Sequence, residues 1–169
     1  MLDVATYEEV EADRTATIQA MAVVIVSSLA TGVGAAGLGR TAGGLAGNVL
    51  LWSIASLLGW AAWALLVMQI GGRLLPEPQT RVDVTELLRT LGFATAPGIL
   101  RVFGVFFPPF ALPLFVVTAA WMIVTMVVAV RQALDYAGTV RAIVVCVIGW
   151  LLAALLVVAL GLWVMPSLT

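Results

Sequence analysis

Long apolar stretches alternate with short polar connections along most of the chain. The apolar stretches lie at residues 17–38, 48–71, 84–107, 114–130 and 142–165. An α-helix rises about 1.5 Å per residue, so about 20 apolar residues cross the hydrocarbon core of a bilayer. The pattern predicts an all-α membrane protein in which residues 17–166 form one domain, a bundle of five transmembrane helices.

The first 16 residues depart from this pattern because they are polar and acidic. Their carboxylates belong to Asp3, Glu8, Glu9, Glu11 and Asp13. Thr6 stands three residues before Glu9, which is the spacing of a capping box. A secretory signal would need a basic start and an early apolar core. We therefore expect residues 1–16 to be a cytoplasmic segment with a short amphipathic helix that leads into the first span.

The third apolar stretch, residues 84–107, is the least regular. It carries Arg89 and Arg101, and a Pro-Gly pair interrupts it at 97–98. Because proline kinks or breaks a helix interior, the stretch either spans with a kink or forms two half-segments that enter and leave on one side. The uncharged connection 108–113 is typical of a tight turn and favours spanning.

Two helix starts are marked by individual residues. Asp83, with Glu86 three residues later, has the spacing of an N-cap, so the third helix is predicted to begin near Val84. Proline is tolerated in the first turn, where its missing N–H would be unpaired anyway. The fourth helix is therefore predicted to begin at Pro113 or Leu114.

The arginines predict the orientation of the bundle. With five spans, one side or its edge holds Arg14, Arg73, Arg81, Arg89, Arg131 and Arg141. Of the basic residues in loops, only Arg40 falls on the other side. Since cytoplasmic loops carry the excess of positive charge, we expect the N-terminus in the cytoplasm and the C-terminus outside.

Composition agrees with a membrane protein and excludes several other classes. The chain is 63% hydrophobic and 10% charged, with a mean hydropathy of +1.15. A soluble domain is usually about 45–50% apolar and about 25% charged, so soluble globular and disordered proteins are excluded. The net charge of −1 offers no basic surface for nucleic acid.

The chain lacks the residue types on which most catalysis depends. It has no histidine and one cysteine, Cys146, and every basic residue is an arginine. This removes the usual general base and the commonest metal ligand, and a single cysteine closes no disulfide within the chain. We expect no enzymatic activity, no metal and no bound cofactor apart from structural phospholipids.

Small residues recur at helix-packing positions. The glycines of 32–37 match a dinucleotide-binding pattern, but that chemistry needs a strand before the loop. Close helix packing explains these glycines, because helices in lipid gain most from close backbone approach. Ala55 and Gly59 are spaced four apart, as are Gly43 and Gly47. Such pairs pack within the bundle or against a partner helix.

The six tryptophans divide by depth. Trp52 and Trp163 lie near the outer interface and are predicted interface anchors. The other four lie deeper, at Trp60, Trp63, Trp121 and Trp150. We interpret these four as core or lipid-facing packing. Stacking on a pigment or quinone is the alternative, for which the sequence shows no specific signal.

Charged residues near the membrane are the candidate contact sites for lipid or a partner subunit. They are Arg89, Arg101, Arg131, Asp135 and Arg141. Arg101 is predicted about 9 Å from the outer end of its span, within snorkelling reach of a lipid phosphate, with a carboxylate of another subunit as the alternative. No carboxylate falls deep in any span, so a proton or cation path has no candidate residues.

Arg131 and Asp135 are four residues apart, so one helical turn would let them pair. Together with Arg141, Arg89 and Glu86 they are predicted to form a charged layer at the cytoplasmic interface. The layer serves as an anchoring ion-pair network, or as a site for a lipid headgroup or protein partner.

Three stretches resemble the Yip family of small membrane proteins: residues 7–34, 87–104 and 129–152. The most specific parts run from Gly92 to Gly98 and from Arg131 to Ala142. The resemblance implies five membrane helices, a cytoplasmic N-terminus, an exterior C-terminus and no enzymatic activity. The GTPase-binding role of eukaryotic members is not carried over, because this chain lacks their long N-terminal region.

The compact loops and the spans rich in alanine, valine and leucine predict a bacterial inner-membrane protein. We expect it to act through helix and lipid contacts, as an accessory or assembly subunit of a larger complex, respiratory or photosynthetic. Its expected partners are membrane lipids and other membrane-protein subunits. The alternative is a small transporter or channel that uses the helix break at Pro97 and Gly98.

Overall fold

A computed structural model describes residues 16–39, 44–80 and 83–164. This part of the chain is helical throughout, with turns between the helices. Its α-helices are α1 (Ala16–Ala35), α2 (Gly44–Gln69), α3 (Val84–Phe93), α4 (Pro108–Ala133) and α5 (Thr139–Val164). A 3-10 turn at Ala36–Leu38 ends α1, and a π-helical turn at Ile70–Leu74 ends α2. The amphipathic helix predicted within residues 1–16 lies outside the described residues.

Within the described ranges, three helical stretches are long and apolar enough to cross a membrane. They are Ala16–Leu38, Val49–Leu74 and Pro108–Ala133. Large hydrophobic side chains remain exposed on the outward faces of these helices, such as Leu58 on α2 and Val117 on α4. A surface this apolar is stable in lipid and would aggregate in water.

The third predicted span is not a kinked α-helix. The predicted N-cap is confirmed, because the side chain of Asp83 accepts a hydrogen bond from the backbone N–H of Thr85 at 2.8 Å. α3 ends at Phe93, and the chain then continues as a 10-residue 3-10 helix, Ala96–Val105, with proline in its first turn. A 3-10 helix rises about 2.0 Å per residue, compared with about 1.5 Å in an α-helix. The same number of residues therefore reaches further in this segment than it would in an α-helix.

The tight turn predicted at 108–113 is wrong. Only the stretch around Phe107 separates the 3-10 helix from α4, which already begins at Pro108 and keeps Pro113 inside its second turn. The N–H groups of the first turn have no intrahelical partner, so Pro108 and Pro109 cost little at the start of α4. α5 likewise begins at Thr139, three residues before the predicted position.

α1 runs beside α3 and the 3-10 helix in the same direction, at backbone-contact distance. Small residues make this approach possible, since a Cβ built on Gly34 would lie 2.0 Å from the carbonyl oxygen of Arg101. The contacts advance together along both segments: Ala20 with Gly92, Ser27 with Gly98, Gly34 with Arg101, and Gly37 with Gly104. The glycines near the end of α1 are therefore packing residues, as predicted.

The densest core lies at the end of the bundle where α2, α3, α4 and α5 meet. Its fully buried side chains include Val67, Leu87, Leu91, Val130, Leu134, Val145 and Cys146. Past this core the first half of α2 packs against α1, where a Cβ built on Gly32 would lie 3.0 Å from the backbone nitrogen of Ser53. The opposite face of this half of α2 is exposed at Leu50, Leu51 and Ile54.

Candidate functional site

The break between α3 and the 3-10 helix is closed by side-chain hydroxyls. Where α-helical pairing stops, backbone carbonyls lose their N–H partners. The Thr125 hydroxyl of α4 donates to the carbonyl of Ala94 at 2.8 Å, and the Ser27 hydroxyl of α1 donates to the carbonyl of Thr95 at 3.0 Å. Non-helical backbone at membrane depth is tolerated when neighbouring helices supply such partners.

This arrangement removes what a transport site at the break would need. Pro97 and Gly98 are both buried, and a Cβ built on Gly98 would lie 2.2 Å from the hydroxyl of Ser27. A transport site would present unwound carbonyls to an ion or substrate. Here the carbonyls of Ala94 and Thr95 already accept bonds from the protein, so the geometry gives the transporter interpretation no support.

A cavity of about 230 Å³ lies beside the break, between α1, α2, α4 and α5. Trp63 and Trp150 form one wall, their rings stacked at 6.0 Å with an 18° interplanar angle. The other lining residues that matter here are Ser27, Ser28, Ser56, Gly59, Trp60, Met122 and Met126. Gly59 is itself exposed, so the cavity reaches the outer surface of the bundle beside it.

Two of the tryptophans that line the cavity have unused hydrogen-bond donors. The indole nitrogens of Trp60 and Trp63 are buried without an acceptor in the structure. A buried donor left unpaired costs about 1–3 kcal/mol. Of the four deep tryptophans, Trp121 faces outward, half exposed, whereas Trp60, Trp63 and Trp150 all line the cavity.

Arg101 is held by the protein itself. Its Nε donates to the hydroxyl of Thr118 at 3.0 Å, and its Nη1 donates to the hydroxyl of Thr31 at 3.3 Å. The guanidinium carbon lies 5.0 Å from the centre of the Phe115 ring, a cation–π distance. Two hydroxyls and an aromatic face thus solvate a cation that the sequence assigned to a lipid phosphate.

The predicted pairing of Arg131 with Asp135 is wrong. α4 ends at Ala133, and Asp135 is an exposed turn residue with a φ of 52°, so the two residues do not share a helical turn. Arg131 instead donates to the carbonyls of Tyr136 and Ala137 at 3.4 and 3.2 Å. The arginine therefore fixes the α4–α5 loop.

Arg141 ties this end of α5 to the loop after α2. Its Nε lies 3.3 Å from a carboxylate oxygen of Glu77, and its Nη1 donates to the carbonyl of Pro76 at 3.1 Å. The other carboxylate oxygen of Glu77 accepts from the backbone N–H of Ala137 at 3.0 Å. We call this contact between residues 75–80 and 134–141 the loop clasp.

Tyr136 is the buried centre of the loop clasp. Its hydroxyl lies 2.8 Å from the carbonyl oxygen of Gly71 and 3.0 Å from that of Leu75, and donates its one proton to them. Burial raises the pKa of the Tyr136 phenol above its ordinary value, and the nearby Arg141 guanidinium opposes part of that rise. The phenol therefore stays neutral at physiological pH and serves as a donor.

Arg89 lies in a different place from the other arginines. Its side chain is 3% exposed, and its Nε and Nη1 are buried without a hydrogen-bond partner. It stands one turn before Gly92, which packs on Ala20 of α1, so it is level with the start of α1. The predicted charged layer is thus divided, because Arg141 belongs to the loop clasp and Arg131 holds the α4–α5 loop, whereas Arg89 lies apart from both.

The structure describes the surroundings of only one of the two predicted interface anchors. Trp52 is half-buried in the first third of α2. Trp163 belongs to the last turns of α5, where the structure does not describe the side chain. Their role as anchors stays a prediction.

Glu77 and Tyr136 are site residues that the sequence did not single out. A lone carboxylate between Pro76 and Pro78 was the available signal, since such a residue has no helical neighbour to pair with. Comparison with known proteins adds no further guide: no family model, no curated protein and no solved structure matches this chain. The resemblance to the Yip family therefore stays a prediction from the sequence.

Proposed function

We propose that this protein is a non-enzymatic five-span bundle of the bacterial inner membrane, with a cytoplasmic N-terminus, that acts through contacts with lipids and partner helices. We further propose that it is an accessory or assembly subunit of a larger complex. The observation that carries the proposal is the outward face of α2. Large apolar side chains on this face are exposed, among them Leu50, Leu51, Ile54 and Leu58, so this side of the helix is left to lipid or another protein.

The same face carries a small-residue pair that the bundle does not use. Ala55 is exposed, and a Cβ built on Gly59 would meet nothing within 4 Å. Residues four apart lie on one face of a helix, and small residues at this spacing let a second helix approach closely. This supports contact with a partner helix rather than packing within the bundle.

Lipid contact is supported by Arg89. A buried donor left without an acceptor costs about 1–3 kcal/mol, and Nε and Nη1 of Arg89 are two such donors in the described part of the chain. We propose that a lipid phosphate or a group on a partner subunit neutralises it at the cytoplasmic interface. Arg131 and Arg141 belong to the same interface through the loop clasp, with Asp135 exposed beside them.

The loop clasp supports five crossings. It joins the chain before α3 to the chain after α4, as in the bond from Ala137 to Glu77. If both loops lie on one side of the membrane, the chain crosses an even number of times between them. α4 supplies one crossing, and Val84–Val105 supplies the other. Ten α-helical and ten 3-10 residues reach about 35 Å, enough for a bilayer core.

Labelling of single cysteines tests this topology. Cys146 is first replaced by alanine, and cysteine is then introduced at Phe107, Gln79 or Gly138, all exposed in the structure. In intact cells a membrane-impermeant maleimide should label Phe107→Cys and spare Gln79→Cys and Gly138→Cys until the cells are opened. Labelling of Phe107→Cys and Gln79→Cys from the same side would show that Val84–Val105 does not cross.

Purification in mild detergent tests the proposed role as a subunit. The wild-type chain should co-purify with other membrane subunits in fixed stoichiometry, and Ala55→Leu should reduce their recovery at least several-fold. Val117→Leu is the matched control, because Val117 is also exposed but lies on α4. Recovery of the chain alone in several detergents, or equal losses in both variants, would contradict the proposal.

A further inference from the structure

The cavity beside the helix break has the depth and size of an intramembrane ligand site. Ser27 lies 11 residues after Ala16 on α1, about 17 Å along the helix axis, near the middle of a hydrocarbon core of about 30 Å. A cavity of about 150 Å³ in another protein holds benzene. The 230 Å³ found here therefore accommodates a substituted six-membered ring.

The side chains that line the cavity determine which kind of molecule it can bind. The stacked pair Trp63 and Trp150 offers a flat aromatic wall, and thioethers such as Met122 make favourable contacts with ring edges. Against this apolar wall stand the hydroxyls of Ser28 and Ser56, which are hydrogen-bond donors. At mid-membrane depth a plain acyl chain offers no acceptor to these donors. A ring that bears carbonyl oxygens does offer acceptors.

We propose that this cavity binds a quinone-type ring, a flat apolar ring with carbonyl acceptors, which enters from the bilayer beside Gly59. The ring lies against Trp63 and Trp150, and its carbonyl oxygens accept hydrogen bonds from Ser28 and Ser56. This site goes beyond the proposed role in helix and lipid contacts, and it is tested on the chain purified without partner subunits, in which no partner helix covers Gly59.

Tryptophan fluorescence tests the site, because Trp60, Trp63 and Trp150 all line the cavity and quinones quench indole emission at short range. The purified chain in lipid nanodiscs is titrated with a short-tailed benzoquinone. We expect a saturable loss of emission above the linear quenching that a quinone dissolved in the bilayer produces. An alkylbenzene with the same tail, which lacks carbonyl groups, should compete at least ten-fold more weakly.

Gly59→Leu supplies the decisive variant. A Cβ built on Gly59 meets no neighbouring atom within 4 Å, so we expect a leucine there to enter the cavity mouth without displacing the backbone. We expect its apparent quinone affinity to fall at least ten-fold. Ala55→Leu, one turn away and outside the cavity lining, should bind as the wild type does. Ser28→Ala combined with Ser56→Ala should weaken binding about five- to ten-fold, as expected for lost hydrogen bonds.

Each alternative outcome overturns the proposal. Quenching that stays linear in quinone concentration would mean partition into lipid only. Equal competition by the alkylbenzene or by brominated acyl chains would show that the cavity takes any apolar chain. Unchanged affinity in Gly59→Leu, with an unchanged melting temperature, would place the quinone elsewhere. None of these results affects co-purification of partner subunits, so the two proposals fail separately.

Discussion

Replacing Gly34 by leucine is expected to separate α1 from the 3-10 helix and to destabilise the bundle by more than any other single change we consider. A Cβ at this position would lie 2.0 Å from the carbonyl oxygen of Arg101 and 2.8 Å from its carbonyl carbon. Overpacking of a core usually costs about 1–3 kcal/mol. The expected loss is at the upper end of that range or above it, because the obstructing atoms are backbone and cannot rotate away.

Thermal unfolding in a fixed detergent measures this effect, with Gly59→Leu as the matched control. Gly59 lies in the interior of α2 with open space around its Cβ position, and glycine is about 1 kcal/mol less favourable than good helix formers. The control should therefore melt at the wild-type temperature or slightly above it. Equal melting temperatures for Gly34→Leu and the control would disprove the close contact between α1 and the 3-10 helix.

The second large effect is expected from Thr125→Val, which keeps the shape of the side chain and removes its hydroxyl. The carbonyl of Ala94 then loses the donor that closes the helix break. Hydrogen bonds between membrane helices average about 0.6 kcal/mol, whereas an acceptor left unpaired in a buried site costs about 1–3 kcal/mol. We expect the larger range, since Thr125 is buried and water has little access to the carbonyl.

Ser27→Ala should cost less than Thr125→Val, because the carbonyl of Thr95 still accepts the backbone N–H of Gly98 at 2.9 Å when the hydroxyl is removed. Thr90→Val is the matched control. Thr90 is fully buried, but its hydroxyl donates to the carbonyls of Glu86 and Leu87, which lie within the regular helix α3. Its removal should cost less than about 0.5 kcal/mol, because no carbonyl is left without a partner. Losses as large as those of Thr125→Val, measured by unfolding in mixed micelles, would refute the role of the hydroxyls at the break.

The break shows where prediction from the sequence stops. Proline at position 97 predicts an interruption of the α-helix, because the constraint that proline places on the backbone is local. The form of the interruption depended on hydroxyls at Ser27 and Thr125, which are 68 and 31 residues from the carbonyls that they bond. No periodicity in the sequence connects positions so far apart.

The charged residues also show which contacts local sequence spacing predicts and which depend on the tertiary structure. Arg131 and Asp135 had helical spacing, but the pairing required α4 to continue past Ala133, where it ends. Glu77 and Arg141 have no regular spacing, and they pair because two loops meet. Arg89 is recognisable in the sequence as a charge near the membrane, whereas the burial of its unpaired Nε and Nη1 depends on how the helices pack.

The sequence by itself determined that the chain is helical and apolar enough for a membrane, because hydropathy and helix capping are properties of neighbouring residues. The confirmed start of α3 at Val84 and the packing glycines of α1 follow from such local features. Only the tertiary structure decided how the break is closed, what holds Arg101 and Arg141, and where a cavity remains. These features arise between side chains that lie far apart in the chain and meet only when the helices pack.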